Sequence, residues 1–472
     1  MVFSSYIFLC AFLPIVLIGY YMLSKIKVAI WQKTFLVCSS LFFYGYYNIM
    51  YLLIILSSIV VNYFIAICMQ NNKIQKYPGK KKAFLICGII FNVALIGYFK
   101  YFDFFIDNIN RIFGTDFVLK NLLLPLGISF FTFQQLSFLI SIYKREEEVG
   151  NILDYFIFVT FFPQLVAGPI VLYSEMIPQF KNNQKRYFNV DNFAKGIYMF
   201  SIGLFKKAAV ADTFAFFANA GFGMTNLGLA AGWITSLCYT FQIFFDFSGY
   251  SDMAIGLGKM FNIDLPVNFL QPYKSESITE FWRKWHVTLG RALSTYIYKP
   301  LGGNRNGLPR TCLNLFLTFL VSGLWHGAAW TFVLWGALHG SFVVLERIFK
   351  TTLDKIPKTL RIIVTFLIVN TLWVLFRAEN FTQALNVYKG MLNFNNLGGI
   401  ISLSSATGSI LSSVLNAGFL FVFAIIIMIS KCNSAKAEEF YASRKTAFLS
   451  AVFLSLGFLC LSRETIFIYF NF

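Results

Sequence analysis

The chain has 472 residues, of which 57% are hydrophobic and 19% aromatic, while only 13% are charged. Soluble domains carry roughly 25% charged residues, so the composition excludes a string of soluble domains and indicates one polytopic membrane protein. The net charge of +18 is explained by Lys and Arg in cytoplasmic loops, and because no basic domain stands apart from the apolar stretches we expect no nucleic-acid partner.

Long apolar stretches recur from the N-terminus onward, and several are shorter than the about 17–25 residues that a membrane-spanning helix needs. We therefore predict an all-α polytopic protein with about 11 transmembrane helices plus interfacial and re-entrant helices. Lys25 and Lys27 follow the first stretch, and five lysines lie in residues 71–82 after the third. This alternation of basic loops predicts that the N-terminus is outside.

Residues 1–472 are expected to form a single membrane domain, with an N-terminal helix group in 1–120, a catalytic core in 121–345 and C-terminal helices with an aromatic tail in 346–472. Two proline-containing breaks interrupt apolar runs of the core, at residues 124–129 and 162–169. Backbone freed at such breaks is tolerated in a membrane only where it faces protein or water, so the breaks indicate a cavity.

Residues 262–310 form the longest weakly apolar stretch, which we expect at the cytoplasmic interface or at the mouth of a cavity. Within it, residues 277–298 predict one amphipathic helix that Ser277 or Thr279 could cap. Its aromatic face includes Trp282 and Trp285.

Only three histidines occur in the chain, and His326 lies in Gly323-Leu324-Trp325-His326-Gly327 inside an apolar run. A polar ring at membrane depth costs free energy unless it has a partner or faces a cavity, which makes His326 a candidate functional residue. Its neutral imidazole can accept a proton near pH 7, as a general base must. A buried histidine bonded to helix backbone, or a group in an ion pathway, is the alternative.

The other two histidines have plainer interpretations. His286 is flanked by Trp and cationic side chains, which favours an interfacial anchor, with a second polar wall of the His326 site as the alternative. His339 follows His326 by 13 residues. On one continuous helix that is roughly 220° of rotation, so we expect the two rings on different faces and His339 to be structural.

Two carboxylates, Asp246 and Asp252, lie at the end of an apolar stretch in Phe245-Asp246-Phe247-Ser248-Gly249-Tyr250-Ser251-Asp252. Carboxylates inside a membrane are costly and are usually paired. We expect Arg283 or Lys284 as partners, in an ion pair that joins the interfacial helix to the bundle.

Several common motifs are absent. The sequence has no G-x-S-x-G, no G-x-x-x-x-G-K-[ST], no H-E-x-x-H and no G-x-G-x-x-G, and its eight cysteines form no C-x-x-C. The glycine-rich turn at residues 302–307 does not match a phosphate loop. We therefore expect no metal site and no permanently bound cofactor.

Together these stretches resemble the membrane-bound O-acyltransferase superfamily, in the branch of bacterial alginate O-acetyltransferase-like proteins. The resemblance runs in order through most of the chain. It is carried by Met1-Val2-Phe3-Ser4-Ser5, Pro125-Leu126-Gly127-Ile128-Ser129-Phe130, Phe162–Ile170, Phe245–Asp252, Gln271-Pro272-Tyr273, Glu280–His286, Pro300–Arg305 and Ser322–Trp330. The family's Leu-Pro-Glu-Asn-Phe is Leu265-Pro266-Val267-Asn268-Phe269 in this chain.

The resemblance implies helices ringed around a central funnel, with a passage from each side meeting at the histidine of Trp-His-Gly. In that case His326 is the catalytic histidine and His286 is the second functional one. The matching stretches also supply the residues that we expect to bind substrate: Trp325, Trp285, Asp246, Ser248, Tyr250 and Asp252.

The expected activity is O-acetylation of an extracytoplasmic polysaccharide from the bacterial cell membrane, with acetyl-CoA or another cytoplasmic acyl thioester as donor. An extracytoplasmic acetyltransferase is the expected protein partner, besides membrane lipid. D-alanyl transfer to teichoic acid from a carrier protein is one alternative, and a transporter or flippase for a polysaccharide precursor is another.

The C-terminal residues 467–472 are aromatic and contain one hydroxyl, that of Tyr469. We hypothesise that Tyr469 folds back into the outer funnel and accepts the acyl group transiently. The alternative is a simple aromatic anchor at the membrane interface.

Overall fold

The computed structural model of the protein describes residues 1–396, 421–422, 425, 440–462 and 468. Helices form nearly all the regular structure in these residues, where the one extended pairing is a single bridge between Phe269 and Trp285. The predicted all-α class is therefore confirmed.

Four helices of the described residues are long and apolar enough to cross a membrane by length and composition: Met50–Gln70, Pro78–Phe113, Gly307–His326 and Lys358–Arg377. Other helices are shorter or carry more polar side chains. The total of about 11 spans therefore stays a prediction.

The chain divides into two compact units, each built from segments that are distant in sequence. The first contains Met1–Ile202, Tyr250–Pro266 and Tyr441–Val452, and the second contains the described residues of the remainder. The predicted boundaries at residues 120 and 345 do not separate these units. The long helix Leu229–Met260 is divided between the units. Its residues up to Gly249 belong to the second unit, and those from Tyr250 belong to the first.

The first unit is a helical group whose two proline breaks lie against each other. Its main helices are Leu13–Ser24, Ala29–Gly45, Met50–Gln70, Pro78–Ile96, Phe102–Phe113, Ile128–Lys144, Ile152–Thr160 and Tyr173–Lys181. A Cβ on Gly127 would lie 2.7 Å from the carbonyl oxygen of Leu165, so only glycine permits this approach. The hydroxyl of Tyr44 donates to the carbonyl of Leu126 at 2.8 Å. At the first break the backbone of residues 126 and 127 therefore packs against protein.

In the second unit, Gly307–His326 and Trp330–Ile348 form a tight hairpin, and we call them the first and second hairpin helices. Small residues let their backbones touch, because a Cβ on Gly323 would lie 3.0 Å from the Cα of Gly336. The helices Asp212–Phe222, Lys358–Arg377 and Phe381–Met391 also belong to this unit.

The predicted single amphipathic helix at 277–298 is wrong. The structure breaks it into the helices Ile278–Lys284 and Val287–Leu293 and a π-helical turn Ser294–Tyr298. The cap is as expected, since the Ser277 hydroxyl accepts from the Glu280 amide at 3.0 Å. The break occurs because residues 267–270 pair with the chain at Trp285 and pull it out of helical geometry.

Candidate active site

His326 is the last residue of the first hairpin helix and is only 1% exposed. The extended residues Gly327 to Ala329 then reverse the chain. Three aromatic side chains enclose the imidazole edge to face, with ring centroids 4.9 Å away for Trp325, 5.2 Å for Trp335 and 5.0 Å for Phe376. The hairpin therefore holds this polar ring in an apolar, water-poor setting.

All three histidines lie in one continuous series of ring contacts, which we call the aromatic relay. Its order is His286, Trp325, His326, Trp335, His339, Trp282. Successive ring centroids are between 4.8 and 6.2 Å apart. In the aromatic relay a single indole, that of Trp325, separates His286 from His326.

His339 was expected away from His326 because the rotation was counted along one continuous helix. The chain instead turns back at residues 327–329, so both rings contact Trp335 from neighbouring hairpin helices. His339 Nδ1 also accepts a hydrogen bond from Trp282 Nε1 at 3.2 Å. This bond ties the second hairpin helix to the helix Ile278–Lys284.

His286 occupies the break between two short helices, with a left-handed backbone at φ +47°. Such a conformation costs a non-glycine residue of order 1 kcal/mol or more and is found most often at functional sites. The imidazole meets Phe247 edge to face at 4.7 Å, and its Nδ1 lies 3.1 Å from Asn268 Oδ1. Burial lowers the pKa of His286 to about 3, so its ring is neutral at physiological pH.

A cavity of about 1320 Å³ extends from the mouth of the second unit to His286. Ser322, one helical turn before His326, also lines it, while His326 and Trp325 are not among the described lining residues. The indole of Trp325 therefore lies between His326 and His286, which lines the cavity.

Basic residues indicate which side of the membrane the cavity opens to. Arg310 lies at the start of the first hairpin helix, and Arg347 and Lys350 lie at the end of the second, whereas residues 327–329 carry no charge. The cavity lining near these helix ends contains Arg347 and Lys350 together with Glu346 and Asp354. The positive-inside rule predicts a cytoplasmic side for the basic helix ends. His326 lies 16 residues beyond Arg310, which is about 24 Å deeper along the helix.

Asp246 was expected from the sequence to pair with Arg283 or Lys284, and the structure shows a different partner. Its partner is the buried Lys207, whose Nζ lies 2.9 Å from Asp246 and 2.6 Å from Asp212. Lys284 instead pairs with Glu280 at 2.6 Å. The Asp246 carboxylate also accepts from the Ile468 amide at 2.8 Å. The prediction was wrong because Lys207 and Asp246 lie on separate helical segments, and only the folded protein brings them together.

The remaining predicted substrate-binding residues lie outside the described cavity lining. Trp285 is 1% exposed and stacks on Phe281 at 5.5 Å. Ser248 is buried in the second unit, while Tyr250 and Asp252 are buried in the first, where Tyr250 stacks on Phe3 at 4.8 Å. Tyr469 lies outside the described residues.

Sequence reasoning gave no role to Asn268 or Lys207, although each had a signal. Asn268 is the asparagine of the Leu-Pro-x-Asn-Phe stretch, and Lys207 is part of a Lys-Lys pair within an apolar segment. Trp335 and Phe376 had no such signal, because only the packing of separate helices brings them to His326.

Comparison with known proteins identifies the family of the chain. The model of the membrane-bound O-acyltransferase family matches residues 41–387. The peptidoglycan O-acetyltransferase of Helicobacter pylori is 41% identical, over 100% of this chain and 98% of its own length. The probable alginate O-acetylase of Pseudomonas aeruginosa is 41% identical over 84% of this chain and 75% of its own.

A more distant similarity reaches the teichoic acid D-alanyltransferase of Bacillus subtilis, at 26% identity over 49% of this chain and 60% of that protein. The family match covers both the hairpin that holds His326 and the break that holds His286. The chain belongs to the membrane-bound O-acyltransferase family and is an acyltransferase.

Proposed function

We propose that this protein passes an acetyl group from cytoplasmic acetyl-CoA, across the bacterial inner membrane, to O-acetylate an extracytoplasmic polysaccharide. The observation that supports this most is the cavity, which has basic and acidic residues in its lining and is also lined by His286, one indole from His326. A donor that enters from the cytoplasm would bring its thioester next to the relay without crossing the membrane.

In the proposed reaction His326 is the general base. Its neutral imidazole takes the proton of an acceptor hydroxyl as the oxygen attacks the thioester carbonyl. The tetrahedral intermediate then collapses, the C–S bond breaks, and the thiolate of CoA takes the proton back from the imidazolium. The enclosing rings of Trp325, Trp335 and Phe376 limit competing water, which would otherwise hydrolyse the thioester.

The size and charge of the cavity favour a nucleotide thioester as donor. Small-molecule pockets are usually about 300–1,000 Å³, so a cavity of about 1320 Å³ has room for a long, flexible donor. Arg283, Arg347 and Lys350 line it and can meet phosphate groups, whereas Arg361 already pairs with Glu276 and Asp354. D-alanyl transfer from a carrier protein receives less support, because its relatives match only half of the chain.

Arg283 gives a direct test of the donor. Arg283→Gln is expected to raise the KM for acetyl-CoA about tenfold, because a charge-assisted contact with phosphate contributes about 1.5–3 kcal/mol, while kcat changes little. Lys284→Gln is a matched control, since Lys284 is adjacent, pairs with Glu280 and lies outside the described lining. The measurement is transfer of labelled acetyl from acetyl-CoA by the protein in vesicles. Equal KM values for both variants would contradict this assignment.

Peptidoglycan is the acceptor that we propose, because the peptidoglycan O-acetyltransferase matches from end to end, whereas the alginate O-acetylase extends beyond the match. The transfer to sugar would involve an extracytoplasmic acetyltransferase as partner. Ester-linked acetate in the purified wall polymer of a deletion strain, compared with a complemented strain, tests the polymer directly.

Tyr469 is proposed as a transient acyl acceptor between His326 and that partner. The support is that the residue before it, Ile468, is buried and donates its amide to the intramembrane carboxylate of Asp246. Tyr469→Phe removes the nucleophilic hydroxyl and keeps the ring, so polymer acetylation is expected to fall while acetyl-CoA binding is unchanged. Acetylation at the wild-type level in Tyr469→Phe would refute this role of Tyr469. Phe470→Tyr, which places a hydroxyl at the next position, is a second variant.

A further inference from the structure

A short strap, residues 267–270, holds the chain at His286 through backbone pairing. The amide of Leu270 donates to the carbonyl of Lys284 at 2.9 Å, and the amide of Val287 donates to the carbonyl of Asn268 at 3.0 Å. Between them lies the bridge of Phe269 with Trp285. These bonds stabilise the left-handed backbone of His286 and leave Asn268 fully buried beside its ring.

Three donors converge on one atom, the side-chain oxygen of Asn268. The Thr288 amide lies 3.2 Å from this Oδ1, the Thr288 hydroxyl 2.9 Å and His286 Nδ1 3.1 Å. A backbone amide can only donate, so the Asn268 atom that faces it must be the oxygen and not the NH₂ group. His286 Nδ1 faces the same oxygen and must therefore carry a hydrogen.

We infer that Asn268 is a positioning residue of the acyl-transfer site, which holds neutral His286 in its Nδ1–H form and thereby makes Nε2 the nitrogen with the lone pair. A neutral imidazole has one donor and one acceptor nitrogen, and the bond at one nitrogen decides the state of the other. At the inner end of the cavity His286 then offers substrate an acceptor or a base at Nε2. It does not offer a second N–H to an acyl oxygen.

His339 provides an internal contrast within the aromatic relay. Its Nδ1 accepts from the indole N–H of Trp282 at 3.2 Å, and an indole nitrogen can only donate. Neutral His339 is therefore the opposite tautomer, with its hydrogen on Nε2. Two histidines of one relay are thus held in opposite forms by two neighbours, Asn268 and Trp282.

The tautomers can be read directly, because the chain has only three histidines. In full-length protein labelled with ¹⁵N-histidine in lipid nanodiscs, the wild type is expected to show an Nδ1–H ring that is assigned to His286 by its loss in His286→Gln. Asn268→Ala should move that ring, and no other, out of the pure Nδ1–H form. Thr371→Val removes a hydroxyl that donates to the Leu367 carbonyl in the helix Lys358–Arg377, and should leave the spectrum unchanged. A His286 ring that is Nε2–H in the wild type, or unchanged in Asn268→Ala, would overturn the inference.

The consequence for turnover rests on the proposed function. Loss of a hydrogen-bonded partner that orients a functional histidine typically costs about 10- to 100-fold, and we expect a fall of that order in kcat for Asn268→Ala. Asn268→Asp keeps an acceptor oxygen and should recover activity relative to Asn268→Ala, whereas Thr371→Val should stay near the wild type. Equal losses in Asn268→Asp and Asn268→Ala would assign Asn268 a purely structural role and refute the inference.

The spectrum tests the tautomer of His286, and the rate of acetyl transfer tests its role in the reaction. A changed tautomer with unchanged acetyl transfer would leave the structural assignment standing and contradict the proposed role of His286 in the reaction. If Asn268→Ala does not fold, the activity of Asn268→Asp compared with that of the wild type, together with the wild-type spectrum, still decides the outcome.

Discussion

Replacing His326 with alanine is expected to lower acetyl transfer about 10²–10⁴-fold, which is the usual contribution of a general base. The imidazole is 1% exposed and three aromatic rings enclose it, so no other described side chain can take its place at that position. His326→Gln keeps a polar side chain of similar size and should be equally inactive, because a primary amide does not accept a proton near pH 7.

The measurement is ester-linked acetate on the cell-surface polymer, in strains that produce equal amounts of each variant. Val321→Ala is a suitable control, because Val321 lies on the exposed side of the same helix. A transporter would behave differently: its loss would block export of the polymer and leave acetate per unit of exported polymer unchanged. Wild-type acetate in His326→Ala would therefore refute both the general-base role and the proposed function.

Replacing Lys207 with methionine is expected to cost about 3–5 kcal/mol of stability, the range found when one partner of a buried ion pair is removed. Lys207 bonds to two carboxylates, Asp212 and Asp246, and its side chain is 4% exposed. Without Lys207 the carboxylates of Asp212 and Asp246 would be buried without their shared cation and would repel each other. Thermal unfolding of the purified protein in detergent measures the loss.

A rescue variant distinguishes charge from packing. Lys207→Met combined with Asp212→Asn and Asp246→Asn leaves no charge in the cluster and should recover much of the loss, because fully neutral replacements of buried ion networks are often tolerated. Lys185→Met is the control for an exposed pair, since the Lys185–Asp264 contact lies at the surface and should contribute at most about 1 kcal/mol. A triple variant as unstable as Lys207→Met would contradict the electrostatic explanation.

Particular residues show how far sequence reasoning reached. The rarity of histidine, together with the Trp-His-Gly stretch, made His326 the candidate, while His286 was interpreted as an interfacial anchor with a second polar wall as the alternative. The structure brings both rings into contact with Trp325. The ion-pair partner of Asp246 was predicted from the nearest basic residues of the interfacial stretch, and this failed because contacts between helices do not follow sequence distance.

The local failures share one cause. The helix predicted at 277–298 has good amphipathic periodicity, yet it is broken at His286 because the strap at residues 267–270 offers that backbone other hydrogen bonds. The rotation argument for His339 failed in the same way, because a turn of three small residues reverses the chain. Periodicity describes one helix, and it does not report what a second segment does to it.

The amino-acid sequence by itself determined that the chain is helical and apolar, and that a single histidine in an apolar run is the candidate for chemistry. These properties depend on composition and on side-chain type, which are present before any folding. Only the tertiary structure decided which groups surround that histidine, which residues line the cavity, and which atoms face Nδ1 of His286. Each of these depends on atoms from segments far apart in the chain, and hydrogen bonds and ring contacts act only over a few ångströms.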